Sequence, residues 1–345
     1  MDNIVEDTRN QILTLRVLNT ACKKYMSFEK YNEIYKMYEH SSRHYHNTDH
    51  LLNVASYIIK NTNEGTPRDT LLVITLLHDA IYSTTSKTNE EDSAALVRFL
   101  DTTDEIKRSI SQTILFTKYQ RVPENEYEEI FMKADLEIFN ASKEKQLEFE
   151  KKIFKEYFWV PIADYVPARV QILKDLKDRY GCNTDFLVDY LENKKWNVGF
   201  YPGTFYPFHI GHKSILKQAE KMFDKVIIGF GNTTDKTTFK WDSDTYGELN
   251  GWVKSNYQSV ELNSLITENI AEIRQYADSV TLIRGLRNSS DLIYEQNYLQ
   301  ALRDMDQRVN AAYFMTEPNL AHVSSSLIRG ILKLSPKNVY NYYRI

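Results

Sequence analysis

From Asp7 to about Asn193 the apolar residues recur at three- and four-residue spacings, as at Leu51, Val54, Ala55, Ile58 and Ile59. That period lines one face of an α-helix. Glycine interrupts this stretch only at Gly65 and Gly181. Scarce glycine over a helical period predicts an all-α domain across residues 1–193. The texture changes at Lys194-Lys195-Trp196. Asn197-Val198-Gly199-Phe200-Tyr201 predicts a short strand that ends at Pro202-Gly203, and a helix is expected from about His212 to Met222. Lys225–Phe230 has the composition of a buried strand. Later strands are predicted at Ser279–Arg284 and Ala311–Met315, with helices at Ile266–Tyr276, Ser290–Met305 and Ser325–Leu332. Strands alternating with helices imply a parallel sheet covered on both faces. The chain therefore reads as an all-α domain followed by an α/β domain over residues 196–345, with the boundary near residue 195 and a linker of Glu192–Lys195. Asp242–Ser264 is polar and shows no assignable pattern.

Length agrees with that division: 345 residues suit two domains at roughly 100–200 residues each. Hydrophobic residues make up 42% and charged residues 26% of the chain, an ordinary globular balance that argues against disorder. A net charge of −4 gives no basic track for nucleic acid. Cys22 and Cys182 are the only cysteines; they fit neither a disulfide framework nor a zinc pattern, and a reducing cytoplasm is expected. The first residues, Met1 to Asp7, are acidic and lack the apolar core of a signal peptide. No run of 18 apolar residues predicts a membrane span.

The first βα turn reads Gly203-Thr204-Phe205-Tyr206-Pro207-Phe208-His209-Ile210-Gly211-His212. In an open α/β sheet, ligands bind beyond the carboxyl ends of the strands. Gly203 is expected to let the backbone pass close to a ligand, and Gly211 to let a ligand sit against the helix start. Free N–H groups and the positive dipole end there suit a phosphate, which His212 can reach. Ile283-Arg284-Gly285-Leu286-Arg287 follows a strand and offers two guanidiniums for bidentate phosphate binding or for salt bridges. Ser324-Ser325-Ser326 opens a helix; such serines cap helices and also put hydroxyls where a nucleotide phosphate would lie. Lys236 follows the second strand on the same edge.

Together these segments resemble phosphopantetheine adenylyltransferases over essentially all of residues 197–345. The matching pieces are Tyr201 to Phe205, Gly211-His212, Asp235-Lys236 through Phe239, Leu282 to Arg287, Asp291 to Glu295, Phe314-Met315, Ser324 to Leu327 and the tail Ser335 to Tyr340. The resemblance implies a Rossmann-like nucleotidyltransferase fold and adenylyl transfer from ATP to 4′-phosphopantetheine, giving dephospho-CoA and pyrophosphate with Mg²⁺ as helper. It implies that Thr204, His212 and Lys236 hold the reacting phosphates. Arg284 would hold the pantetheine phosphate. Arg287, Glu295 and Ser324 to Ser326 would hold ATP, in a nucleotide site shared with Gly203, Phe205, His209 and Gly211. A homo-oligomer is also implied. Two positions depart from the family's usual pattern: Tyr206 stands where Asp is normal, and His209 where Thr is common.

In the N-terminal half, His78-Asp79 ends the apolar run Leu71 to Leu77. Ionisable groups at such a place need partners or a metal. Upstream lies Tyr45-His46-Asn47-Thr48-Asp49-His50, downstream Ala134-Asp135-Leu136. Imidazoles with carboxylates suit a divalent metal that activates water. The ordered set, with Arg43-His44, Asn89 to Ala94 and Thr117, resembles the HD superfamily of metal-dependent phosphohydrolases across about residues 7–190. That implies His50, His78, Asp79 and Asp135 as ligands of Mn²⁺, Fe²⁺, Ni²⁺ or Mg²⁺, with His46 behind the metal or facing a phosphate. Gln120 stands where a His is frequent in that family. Asn89–Ser93 reads equally as a capped, solvated helix start. A two-headed enzyme is expected. The alternatives are another acceptor such as nicotinamide mononucleotide, and an N-terminal domain that binds or regulates without catalysis.

Overall fold

The computed structural model describes residues 2–119, 121–231, 251–262 and 264–334. The chain forms two compact units: Met1–Tyr157 with Ala168–Glu192, and Phe158–Pro167 with Asn193–Ile345. The first is all-α. The second is a parallel sheet flanked by helices, a Rossmann-like nucleotidyltransferase architecture.

The first unit is organised on the helix Thr66–Leu77, which starts with a proline in its first turn and is buried from Asp69 to Leu77. A helix apolar on all sides belongs inside a core, and this one packs against Asp2–Cys22, Thr48–Asn61, Asp104–Tyr119 and Glu126–Asp135. Leu72, Val73, Ile74 and Leu76 have no exposed surface; each such side chain contributes about 1.5–3 kcal/mol by leaving water. The helix ends by delivering His78, also buried, to the middle of the unit. Its neighbours deliver their own polar groups nearby. Asn47 caps Thr48–Asn61 by accepting from the N–H groups of Asp49 and His50, which sets His50 in the first turn. Glu126–Asp135 ends on Asp135.

The second unit holds a five-stranded sheet in the order β3-β2-β1-β4-β5: β1 Asn197–Gly203, β2 Lys225–Gly231, β3 Ser259–Leu262, β4 Ser279–Leu286 and β5 Asn310–Met315. Every pairing is parallel. From β1 the chain first builds outward through β2 and β3, then returns to add β4 and β5 on the other side. The crevice where the direction reverses, beyond the carboxyl ends of β1 and β4, is where such sheets bind ligands. β3 lies within the stretch the sequence left unassigned. It is a four-residue edge strand with one exposed and three half-buried residues, and an edge strand needs neither apolar alternation nor length. The helix after β1 runs Ile210–Ala219, starting two residues before the expected His212 because His209 caps it.

Phe158–Pro167 belongs to this second unit. The backbone N–H of Gln258 donates to the Phe158 carbonyl at 3.3 Å, and the Phe158 ring meets Tyr257 edge-on. The ammonium of Lys225, fully buried at the start of β2, donates to the Val160 carbonyl. A chain cut near residue 195 would take this segment from the sheet. Among the described residues, no helix is long and apolar enough to cross a membrane.

Candidate active sites

In the first unit three of the four expected ligands, His50, His78 and Asp79, form one group, and Asp135 approaches both imidazoles. His50 Nε2 lies 3.3 Å from His78 Nε2 and 3.3 Å from Asp135 Oδ1. Asp79 Oδ2 lies 3.1 Å from His78 Nε2 and 3.7 Å from His50 Nε2, and His78 Nε2 lies 3.9 Å from Asp135 Oδ1. A metal bound at roughly 2.0–2.2 Å separates adjacent ligand atoms by about 2.8–3.6 Å, from octahedral to tetrahedral geometry, so the cluster is close to the spacing that one ion would impose. His50, His78 and Asp79 form a group able to hold a metal ion. His78 Nδ1 faces the Thr75 carbonyl at 2.8 Å; it must donate there, which leaves the Nε2 lone pair for a cation.

The electrostatics agree. Burial alone would lower His78, but Asp79 and Asp135 reverse this and raise its pKa to about 9. Burial would raise Asp79, yet the imidazoles of His78, His46 and His50 hold it well below the carboxylate range. Asp135 is likewise held down against its burial, mainly by His50. Two carboxylates thus draw positive charge onto His78, a demand that a divalent cation would meet.

The supporting groups come from far along the chain. Arg43 donates to the carbonyls of Asp79 at 2.6 Å and Ala80 at 2.7 Å, fixing the turn that carries Asp79. Ser93, fully buried, bonds both backbone groups of Ile81, and Asn89 bonds both of Ser83. The Asn89–Ser93 segment therefore braces the loop behind the site. Thr117 donates to the Ile114 carbonyl. His46 pairs with Glu156 at 2.6 Å, and its pKa is raised by that partner against the effect of burial. Glu156 is the residue the sequence did not single out: it lies 110 positions from His46 in a charged helix, with no local signal to mark it. Gln120 lies outside the described residues.

In the second unit, the first turn folds Phe205 back at a positive φ of 41°. Its buried ring covers Gly203, where an added Cβ would sit 2.8 Å from Phe205 Cζ. Gly203 thus makes room for an aromatic ring of its own loop, which differs from the expected approach to a ligand. Gly211 similarly makes room for His209: an added Cβ would lie 3.0 Å from His209 Cε1. His209 Nδ1 accepts the Gly211 N–H at 3.1 Å, and the His209 N–H donates to His212 Nδ1 at 3.3 Å. The two rings stack at 3.7 Å. Burial and the Arg287 guanidinium push His209 down to about 4. Burial, His209 and Arg287 hold His212 well below its usual value. His212 is therefore neutral, and with Nδ1 accepting, its proton sits on Nε2 as a donor.

Thr204 is half-buried beside the end of β2: an added Cβ at Gly231 would meet its Cγ2 at 3.9 Å. Arg284 forms a bidentate pair with Glu295 at 2.6 Å on both arms. Arg287 pairs with Asp291 at 3.1 Å. Ser324 caps the helix Ser325–Leu334 by accepting the Leu327 N–H. Ser325 Oγ donates to the Pro207 carbonyl at 3.0 Å, and Arg329 joins Ser326 Oγ to the Tyr206 carbonyl. The serine turn is thereby tied to the first βα turn. Tyr206 meets Arg329 through its backbone carbonyl and through its ring, which lies 6.0 Å from the guanidinium carbon. Lys236 lies outside the described residues, as do Asp235 to Phe239 and the tail Ser335 to Tyr340.

A cytidylyltransferase-like family profile matches residues 200–331. Phosphopantetheine adenylyltransferase from Cytophaga hutchinsonii is 35% identical over 137 residues, which cover 39% of this chain and 89% of that protein. The enzyme of the same name from Nautilia profundicola is 35% identical over 138 residues, covering 40% and 88%. That from Mycoplasma capricolum is 30% identical over 136 residues, covering 39% and 95%.

Proposed function

We propose, from the premise that the chain belongs through its C-terminal part to the phosphopantetheine adenylyltransferase family, that this part transfers the adenylyl group of ATP to 4′-phosphopantetheine. The products are dephospho-CoA and pyrophosphate. The observation that carries the reading is the neutral His212, with Nε2–H as donor, at the helix start beyond β1. A phosphate oxygen of the acceptor attacks the α-phosphorus in line, so the protein supplies position and charge stabilisation and needs no nucleophile of its own. His212 donates to the phosphoryl oxygens as their charge grows. Thr204 and Lys236 hold the same phosphates. Arg284, aligned by Glu295, receives the pantetheine phosphate. Arg287 and the Ser324–Ser326 turn hold ATP, and Mg²⁺ enters on the triphosphate. The full chain should form dephospho-CoA and pyrophosphate from ATP and 4′-phosphopantetheine, and should leave nicotinamide mononucleotide untouched in a parallel assay. Preference for the second acceptor would overturn the assignment.

The first unit supports a metal-dependent phosphohydrolase of the HD type acting on a phosphorylated small molecule. His50, His78, Asp79 and Asp135 would hold a divalent cation such as Mn²⁺, Fe²⁺, Ni²⁺ or Mg²⁺. The bound ion would supply an acidified water and polarise a phosphoryl oxygen. The chain's own part is to keep the imidazole lone pairs and both carboxylates converged. Elemental analysis of the full chain, with hydrolysis assays on phosphorylated metabolites in several metals, tests this. A protein that neither carries nor takes up these metals would rule it out and favour a binding or regulatory module.

A further inference from the structure

Glu156 closes the helix Lys143–Glu156, and its side chain has no exposed surface. Sealing a carboxylate in a protein is costly unless donors surround it. Here they do: Oε1 accepts the backbone N–H of Tyr45 at 2.7 Å and of His46 at 2.9 Å, and Oε2 accepts from His46 Nδ1 at 2.6 Å and from the Tyr82 hydroxyl at 2.9 Å. These bonds outweigh burial and keep Glu156 ionised. An ionised carboxylate can only accept, so His46 Nδ1 carries a proton; Nε2, on the opposite edge of the ring, becomes a donor when a second proton makes the ring an imidazolium, whose charge Glu156 balances.

The ring is held from several sides. It stacks on Tyr82 at 4.3 Å and stands edge-on to Tyr45 at 5.1 Å and His50 at 5.6 Å. The His46 side chain keeps 20% of its surface exposed, whereas Glu156 is sealed. Among the described residues, the carboxylate that His46 pairs with is Glu156, while Asp79 and Asp135 pair with His50 and His78. His46 thus stands beside the cluster of candidate ligands and open to solvent, with one nitrogen committed and the other available. A buried acid that fixes the orientation of an accessible imidazole is an arrangement for presenting that imidazole to a ligand.

The geometry points to Glu156 as a positioning residue that locks His46 so that the Nε2–H of its imidazolium donates to a phosphoryl oxygen of a substrate seated on the His50–His78–Asp79–Asp135 cluster; this rests on reading the first unit as a metal-dependent phosphohydrolase. Side-chain shape allows a discriminating test. His46→Asn retains a donor near the Nδ1 position, and so the bond to Glu156, but has nothing at Nε2. His46→Gln reaches the Nε2 position and gives up Nδ1. Glu156→Gln can still accept the backbone N–H groups, but its amide nitrogen donates, so His46 Nδ1 must turn acceptor and the ring stays neutral with its proton on Nε2.

The full chain is loaded with Mn²⁺, and binding of inorganic phosphate is followed by calorimetry, with Mn²⁺ stoichiometry and circular dichroism measured on each variant. All variants should keep the fold and the metal. Loss of the charge-assisted hydrogen bond should weaken phosphate binding about tenfold or more in His46→Asn, and by less in His46→Gln and in Glu156→Gln, where a neutral donor remains. Phosphate affinity unchanged from wild type in His46→Asn or in Glu156→Gln overturns the proposal and leaves the metal site standing. Loss of Mn²⁺ from His46→Asn also overturns it, by placing His46 among the ligands. A wild-type chain that takes no Mn²⁺, or takes it without binding phosphate, removes the phosphohydrolase reading together with the proposal.

Discussion

A divalent metal entering the first unit should have to displace a proton from His78, and this competition should control its apparent affinity. His78 is fixed with Nδ1–H on the Thr75 carbonyl and Nε2 facing Asp79 at 3.1 Å. In the metal-free protein its pKa stands at about 9, so at pH 7 nearly every molecule carries the extra proton on the nitrogen the metal needs. Removing it at pH 7 costs about 2.7 kcal/mol, or about two powers of ten in affinity. Asp79 is held far below neutrality and releases nothing. Calorimetric titration of the chelator-stripped full chain with Mn²⁺ under argon, between pH 6.5 and 9.5, should show affinity rising about tenfold per unit and levelling off near pH 9. Repeating it in two buffers of different ionisation enthalpy should count close to one proton released per ion at pH 7. The metal-free protein should respond in the opposite sense. Its His78 pKa lies above the ordinary 6.5, so the stabilisation due to protonated His78 is complete below that value and is lost as pH rises through about 9. An affinity that stays flat from pH 7 to 9, with no proton released, would refute the electrostatic account.

Three substitutions probe the second unit. His212→Ala removes a donor that strengthens as charge develops, so kcat should fall about 10²–10³-fold with a smaller change in KM for ATP; steady-state pyrophosphate release measures it. Glu295→Ala leaves Arg284 charged, largely buried and without its bidentate partner, and the KM for 4′-phosphopantetheine should rise about tenfold or more as the guanidinium loses its alignment. Gly203→Ala drives a Cβ to within 2.8 Å of the Phe205 ring, which is hemmed in by Tyr201, Phe208, His212 and Phe230. It should destabilise the unit by about 1–3 kcal/mol, read from urea denaturation.

What the sequence shows is governed by distance along the chain. The apolar run Leu71 to Leu77 followed by His78-Asp79 announces both a buried helix and what it delivers, because burial and ligand position come from the same turn of chain. The turn from Gly203 to His212 is equally local. Asp135 and His50 are recognisable only as members of an ordered set, and the geometry then brings them to within 3.3 Å of each other. Glu156 is invisible in sequence because its meaning depends on four donors supplied from residues 45, 46 and 82. The second-unit segment Phe158–Pro167 escapes for a related reason: its period is helical, like the residues before it, and only contacts to Lys225, Tyr257 and Gln258 assign it to the sheet. Gly203 and Gly211 were identifiable as necessary glycines, but not what fills the space they leave, since Phe205 and His209 are set by the fold of the turn.

The chain uses histidine in two opposite fields, and the field indicates the sign of the ligand. In the first unit, Asp79 and Asp135 overcome the burial of His78 and draw protons onto it. A site that pulls protons onto neutral bases will pull a metal cation with the same force, and more strongly for twice the charge. In the second unit, burial and Arg287 drive protons off His209 and His212. Arg287 already has Asp291 for a partner, and Arg284 has Glu295, yet neither carboxylate restores the histidines to their ordinary range. Burial, the larger cause, disfavours a charge of either sign; it is the Arg287 contribution, with the free N–H groups at the helix start, that favours a phosphate there. Exchanging the residue sets would therefore fail at both sites. An arginine beside neutral imidazoles would repel a cation, and a protonated His78 bound to carboxylates would have little charge left to offer a triphosphate.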